Sequence, residues 1–86
     1  MKVTFAVHTH DRGTIDLVQS TVKGNKPSDA DWEQAALSAM KELDEQTGRN
    51  LYGEDPAQHR WVRNYSISYV FKGWVEFEEL APLDLG

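Results

Sequence analysis

The chain has 86 residues with 9 basic and 14 acidic side chains, a net charge of −5, and no cysteine. A chain this short is expected to fold as one domain over residues 1–86, and without thiols it has no disulfides, thiolate metal centres or cysteine nucleophiles. The acidic balance disfavours nucleic-acid binding, because that affinity comes largely from lysine and arginine. No secretion signal is recognisable and no apolar run reaches the roughly 20 residues that span a bilayer, so we expect a cytoplasmic protein without membrane contact.

A half-buried first strand is predicted over residues 2 to 8, where apolar and polar side chains alternate. His8 and His10 stand at its end, two residues apart, so their imidazoles would point the same way, and Asp11 follows. These three residues form the alternative metal-site hypothesis, which needs a further ligand such as His59. The alternative is that the two histidines bind no metal and are exposed to solvent at the tip of a hairpin.

A second strand is predicted over residues 14 to 22, after a turn that ends in a glycine. Its apolar residues do not keep one phase. Ile15 and Leu17 fall on one face, whereas Val18 and Val22 fall on the other. We assign Ile15 and Leu17 to the core and attribute the change of phase to a β-bulge or a twist near Leu17.

A helix is predicted over residues 28 to 47. Ser28 offers a hydroxyl acceptor to the free amides of the first turn, where Asp29 and Asp31 complement the helix dipole. Apolar residues then recur at helical spacing, and acidic residues flank them. Gly48 is the residue that ends the helix.

After a long connection over residues 49 to 60, residues 65 to 71 alternate as a third strand, and Gly73 supplies the turn into a fourth strand, residues 74 to 80. The predicted fold is α+β: one helix packs on one face of a mainly antiparallel four-stranded sheet, in the order β-β-α-β-β. The predicted core consists of Val3, Phe5, Val7, Ile15, Leu17, Trp32, Ala36, Ala39, Met40, Leu43, Ile67, Tyr69, Phe71, Val75 and Phe77.

The fourth strand carries the leading candidate for a binding surface. A three-residue turn would place its carboxylates on the face away from the helix, because burying two unpaired carboxylates costs several kcal/mol. The long connection adds aromatic and acidic side chains on a loop, where binding residues are common. We therefore predict partner-binding residues at Trp74, Glu76 and Glu78 on the fourth strand and at Tyr52, Glu54 and Asp55 in the connection.

Known catalytic and phosphate-binding motifs do not occur in this sequence, so the expected function is a small acidic, non-enzymatic protein-binding module without a cofactor. Its partner would be a protein with a basic surface, and a homodimer through an edge strand is an alternative partnership. In size and composition the chain resembles phage and mobile-element proteins such as anti-CRISPR and anti-restriction proteins. That resemblance implies an inhibitor that occupies a nucleic-acid-binding surface of its partner.

A second alternative is direct binding of nucleic acid. Residues 59 to 63 interleave His59, Arg60 and Arg63 with Trp61, a pattern that can stack on bases and contact phosphates. We expect Trp61 instead to cover an edge of the core while the arginines pair with Glu54 and Asp55 of the same loop.

Overall fold

The computed structural model describes residues 1–53 and 59–76. In chain order its elements are β1 (Lys2–Thr9), β2 (Thr14–Thr21), α1 (Asp29–Thr47), α2 (Trp61–Asn64) and β3 (Tyr65–Lys72). The three strands form one antiparallel sheet in the order β2-β1-β3, so β1 is the central strand.

The prediction of four strands in the order β-β-α-β-β is wrong, because the described order, apart from the four-residue helix α2, is β-β-α-β. Residues 74 to 76 are not a strand, and within the described residues β3 pairs with β1. Gly73, with φ +74°, turns the chain, and its amide donates to the Lys2 carbonyl at 2.9 Å. The rest of the predicted fourth strand, residues 77 to 80, lies outside the described residues.

Helix α1 confirms the prediction made from its terminal residues. The Ser28 hydroxyl accepts from the Asp31 amide at 3.2 Å, and the Asp31 carboxylate accepts from the Ser28 amide at 3.0 Å. This reciprocal pair satisfies two amides at the helix start, and it lowers the pKa of Asp31 because the backbone bond favours the ionised carboxylate. Gly48 ends the helix in the left-handed region, with φ +68°.

The pairing of β1 with β2 decides which side of β2 meets the helix. The register runs without interruption from Lys2↔Thr21 to Thr9↔Thr14 and places Val18 opposite Phe5. Phe5 and Trp32 of α1 meet edge to face, with ring centroids 6.5 Å apart. We call this side of the sheet the inner face and the opposite side the outer face.

The predicted bulge in β2 is therefore wrong. The irregularity lies in β3, where Ala6 pairs with Tyr69 but Val7 pairs with Ile67, so that Ser68 is the extra residue. A strand that gains one residue exchanges its two faces at that point. As a result Tyr65 and Ile67 lie on the inner face, whereas Tyr69 and Phe71 lie on the outer face.

The core lies between α1 and the inner face. It contains the predicted residues of β1 and most of the predicted helical stripe, but Ile15 and Tyr69 are 46% and 62% exposed and do not belong to it. Leu17, Phe71 and Val75 are half-buried and lie outside the core, and Phe77 lies outside the described residues. The buried cluster consists of Val3, Phe5, Val7, Val18, Val22, Ala35, Ala39, Met40, Leu43, Tyr52 and Tyr65, with Trp32, Ala36 and Ile67 among the half-buried residues packed against it.

A short segment after β3, residues 73 to 76, crosses the outer face from β3 towards β2. The buried Thr4 hydroxyl donates to the Gly73 carbonyl at 2.8 Å and accepts from the Val75 amide at 2.9 Å. On the side towards β2, the Trp74 indole donates to the carbonyl of Ser20 at 3.0 Å. We call residues 73 to 76 the crossing segment.

Candidate functional site

A groove with a volume of about 350 Å³ follows the outer side of β2. Its lining holds three carboxylates and two carboxamides around two apolar side chains, and none of its residues is basic. We call it the acidic groove; its residues are Asp16, Leu17, Gln19, Glu42, Gln46, Val75 and Glu76.

Three elements build the acidic groove. Strand β2 supplies its floor, α1 supplies Glu42 and Gln46 on one side, and the crossing segment supplies Val75 and Glu76 on the other. Glu42 and Gln46 are four residues apart on α1, and the Gln46 amide donates to the Glu42 carboxylate at 3.4 Å. The Thr4 hydroxyl holds Val75 in place, so both sides of the groove rest on ordered backbone.

Trp74 fixes the crossing segment beside the groove. In addition to the indole bond to Ser20, its ring lies under the Lys2 ammonium, which is 4.5 Å from the ring centroid. The side chain is 47% exposed. Because its N–H group and its ring face both have partners, the Trp74 ring is already ordered. It would therefore lose little conformational entropy on binding, which suits a contact residue.

The structure places the predicted partner-binding residues in different environments. Glu76 is exposed and lines the acidic groove, and Trp74 lies beside it, whereas Glu78, Glu54 and Asp55 lie outside the described residues. Tyr52 was expected at the surface, and that placement is wrong: it is only 8% exposed and packs in the core.

Asp44 explains why Tyr52 turns inward. This carboxylate is buried, and it accepts from the amides of Leu51 and Tyr52 at 3.1 and 2.7 Å and from the Tyr65 hydroxyl at 2.5 Å. Burial and the adjacent carboxylate raise the pKa of the Tyr65 phenol. Asp44 therefore ties α1, the segment after it and the start of β3 into one unit.

Sequence reasoning missed two of the three carboxylates of the groove. Asp16 stands on the inner face of β2, opposite Val7, and Glu42 counted only as part of a solvated helix flank. The available signal was that Asp16 shares a strand face with Val18 and Val22, since a carboxylate on a face that becomes buried needs a special environment. Its contribution to the groove depends on α1 and the crossing segment, which no short stretch of sequence encodes.

His10 and Asp11, two residues of the metal-site hypothesis, bond to other groups of the protein. Both ring nitrogens of His10 are engaged, Nδ1 donating to the Arg63 carbonyl at 2.9 Å and Nε2 bonded to the Ser66 hydroxyl at 3.0 Å. Asp11 forms a bidentate ion pair with Arg49, and that pair lowers the pKa of Asp11. Across residues 1–53 and 59–76, no group of three or more His, Cys, Asp and Glu side chains is arranged to hold a metal ion.

We expect His10→Ala to lower the free energy of unfolding by about 1 kcal/mol, because the change removes two hydrogen bonds at an exposed site. His8→Ala is the matched control and should change it by less than about 0.5 kcal/mol. Urea titrations of both variants, with and without EDTA, measure the effect. A loss of stability on adding EDTA to the parent protein would contradict this assignment.

The nucleic-acid alternative depends on Trp61, because stacking on bases requires an accessible aromatic face. Trp61 is half-buried and packs against the core, as expected, and its ring centroid lies 6.3 Å from that of His59. Arg60 and Arg63 are exposed. Their expected carboxylate partners lie outside the described residues.

In the described part of the chain, none of the helices combines the length and the apolar character needed to cross a membrane. Comparisons of the chain with known protein families, curated protein sequences and solved structures found no match.

Proposed function

We propose that the protein is a non-enzymatic binding module whose acidic groove receives a basic segment of a partner protein. The observation that supports this proposal most directly is the arrangement of Asp16, Glu42 and Glu76 around one groove. These carboxylates come from three separate elements, so the fold itself assembles the negative charge.

The groove also offers apolar contact. Leu17 and Val75 line it between the carboxylates, and the stems of lysine and arginine bury well on such surfaces while their charged ends reach acidic groups. Complementary charge of this kind steers the encounter and selects the partner more than it adds affinity. Binding should therefore weaken as the salt concentration rises.

A partner surface that matches this groove would carry lysine or arginine side chains, the same residues that proteins use to contact nucleic-acid phosphates. Occupying them would block that contact. The resemblance in size and composition to anti-CRISPR and anti-restriction proteins supports this inhibitory form of the proposal.

The proposal predicts that reversing Glu42 and Glu76 to lysine together weakens binding of a basic peptide by at least about tenfold, because both carboxylates line the groove that receives the cations and the change turns its negative charge positive. The probe is a fluorescent, end-capped heptapeptide of alternating lysine and valine. Its dissociation constant is measured by fluorescence anisotropy at low and at physiological salt.

The matched control is the double reversal of Glu33 and Glu45. Both residues are exposed on α1 and lie outside the acidic groove, and their reversal changes the net charge by the same amount. It should weaken binding less than about threefold, and neither double variant should change the thermal midpoint appreciably, because all four residues are exposed. Equal losses in the two variants, or a parent protein that does not bind the peptide, would refute the groove as the site.

A further inference from the structure

We infer that the basic segment binds as an extended strand that pairs with the outer edge of β2. This inference rests on the proposed function and specifies the conformation of the partner. Among the described strands, β2 pairs only with β1, over all eight of its residues, and stands at one end of the sheet.

The backbone hydrogen bonds at the end of the β1–β2 pair farthest from its connecting turn show which backbone groups of β2 point away from β1. The Val22 amide donates to the Met1 carbonyl at 2.8 Å, and the Met1 amino group donates to the Val22 carbonyl at 2.8 Å. Because hydrogen-bonded pairs alternate along an antiparallel ladder, the even-numbered residues of β2 direct their backbone groups to β1. The backbone groups of Ile15, Leu17 and Gln19 therefore point away from the sheet.

The other side of β1 follows the same alternation. The Lys2 carbonyl accepts from the amide of Gly73, which directly follows β3. The even-numbered residues of β1 therefore direct their backbone hydrogen-bonding groups to β3, whereas the odd-numbered residues direct theirs to β2. From Ile15 to Gln19 the outward-facing edge is about 14 Å long, at roughly 3.4 Å per residue. That length accommodates about five residues of an added strand.

The acidic groove lies along this edge and has charge on both sides of the sheet plane. Asp16 lies on the inner face and Glu42 on α1, which packs there, whereas Glu76 belongs to the crossing segment on the outer face. Side chains of an added strand alternate between these two sides. Each side therefore presents a carboxylate to a lysine or arginine, and Leu17 and Val75 add apolar contact on the outer side.

The same charges argue against a second copy of this chain as the occupant of the β2 edge. Residues 14 to 21 contain Asp16 and no basic residue. Pairing β2 with β2 of another copy would bring two acidic grooves together, and like charges facing across strands are destabilising. The fitting occupant is a basic strand of a different protein.

Backbone N-methylation of the alternating lysine and valine heptapeptide tests the inference. One analogue carries methyl groups on the backbone nitrogens of two lysines, the other on those of two valines. In an added strand only one of these two sets of amides faces β2. One analogue should therefore bind at least tenfold more weakly than the unmodified peptide, and the other within about threefold of it.

The possible outcomes separate this inference from the proposed function. If the peptide binds and the Glu42 and Glu76 reversals weaken it, but both methylated analogues bind alike, strand addition is wrong and the groove proposal stands. If the unmodified peptide does not bind, both are wrong. Sedimentation of the protein alone tests whether a second copy of the chain occupies the β2 edge. A dimer that the peptide dissociates would assign the edge to that second copy and overturn the inference.

Discussion

Replacing Asp44 with alanine is expected to lower the free energy of unfolding by about 3 to 5 kcal/mol. The change leaves the half-buried amide of Leu51, the buried amide of Tyr52 and the buried hydroxyl of Tyr65 without their acceptor, and each orphaned buried group costs roughly 1 to 3 kcal/mol. For a domain of this size such a loss is a large part of the total stability. Urea unfolding followed by tryptophan fluorescence measures it.

Two further variants make the Asp44 result interpretable. Glu45→Ala changes the next residue of α1, which is exposed, and should alter the free energy of unfolding by less than about 0.5 kcal/mol. Tyr65→Phe removes one of the three bonds and should cost about 1 kcal/mol, so it provides a measurement even if Asp44→Ala does not fold. An Asp44→Ala protein as stable as Glu45→Ala would show that this carboxylate does not organise the segment after α1.

Phe5→Ala should cost about 3 to 5 kcal/mol of unfolding free energy, because it empties a fully buried site between β1 and α1. Phe5 is 2% exposed, lies on the central strand and contacts Trp32. Thermal and urea unfolding of the variant measure the loss.

Tyr69→Ala is the matched control for Phe5→Ala. Alternation in the sequence places both aromatic residues in the core, but in the structure Tyr69 is 62% exposed and its main aromatic neighbour is Phe71, with ring centroids 4.7 Å apart. Its loss should cost about 1 kcal/mol. Equal costs for the two changes would mean that the bulge at Ser68 does not exchange the faces of β3.

The groove residues differ in how far the sequence could predict them. Glu76 was predicted to be exposed because burying unpaired carboxylates is costly, and that reasoning holds for any strand or loop that carries it. The reason for Tyr52 being buried is different. Its position depends on Asp44, eight residues earlier, and on Tyr65, thirteen residues later, so its own neighbours in sequence do not indicate it.

The sequence by itself determined the elements whose signals are local. Ser28, Asp31 and Gly48 define the ends of α1 because capping bonds join residues only three or four positions apart. Alternation likewise predicted β1 and β3, and the absence of cysteine determined that no disulfide contributes to stability.

Only the tertiary structure decided which strands pair and which side of each is buried. Residues 15 to 22 carry two apolar side chains on each face, and it is the pairing of Val18 with Phe5 that selects the inner one. Residues 74 to 76 follow a good turn, yet β3 pairs with β1 and the crossing segment bonds to Thr4, about 70 positions earlier in the chain. Competition between such distant partners depends on the packing of the whole sheet against α1, and that packing also brings the three carboxylates of the acidic groove together.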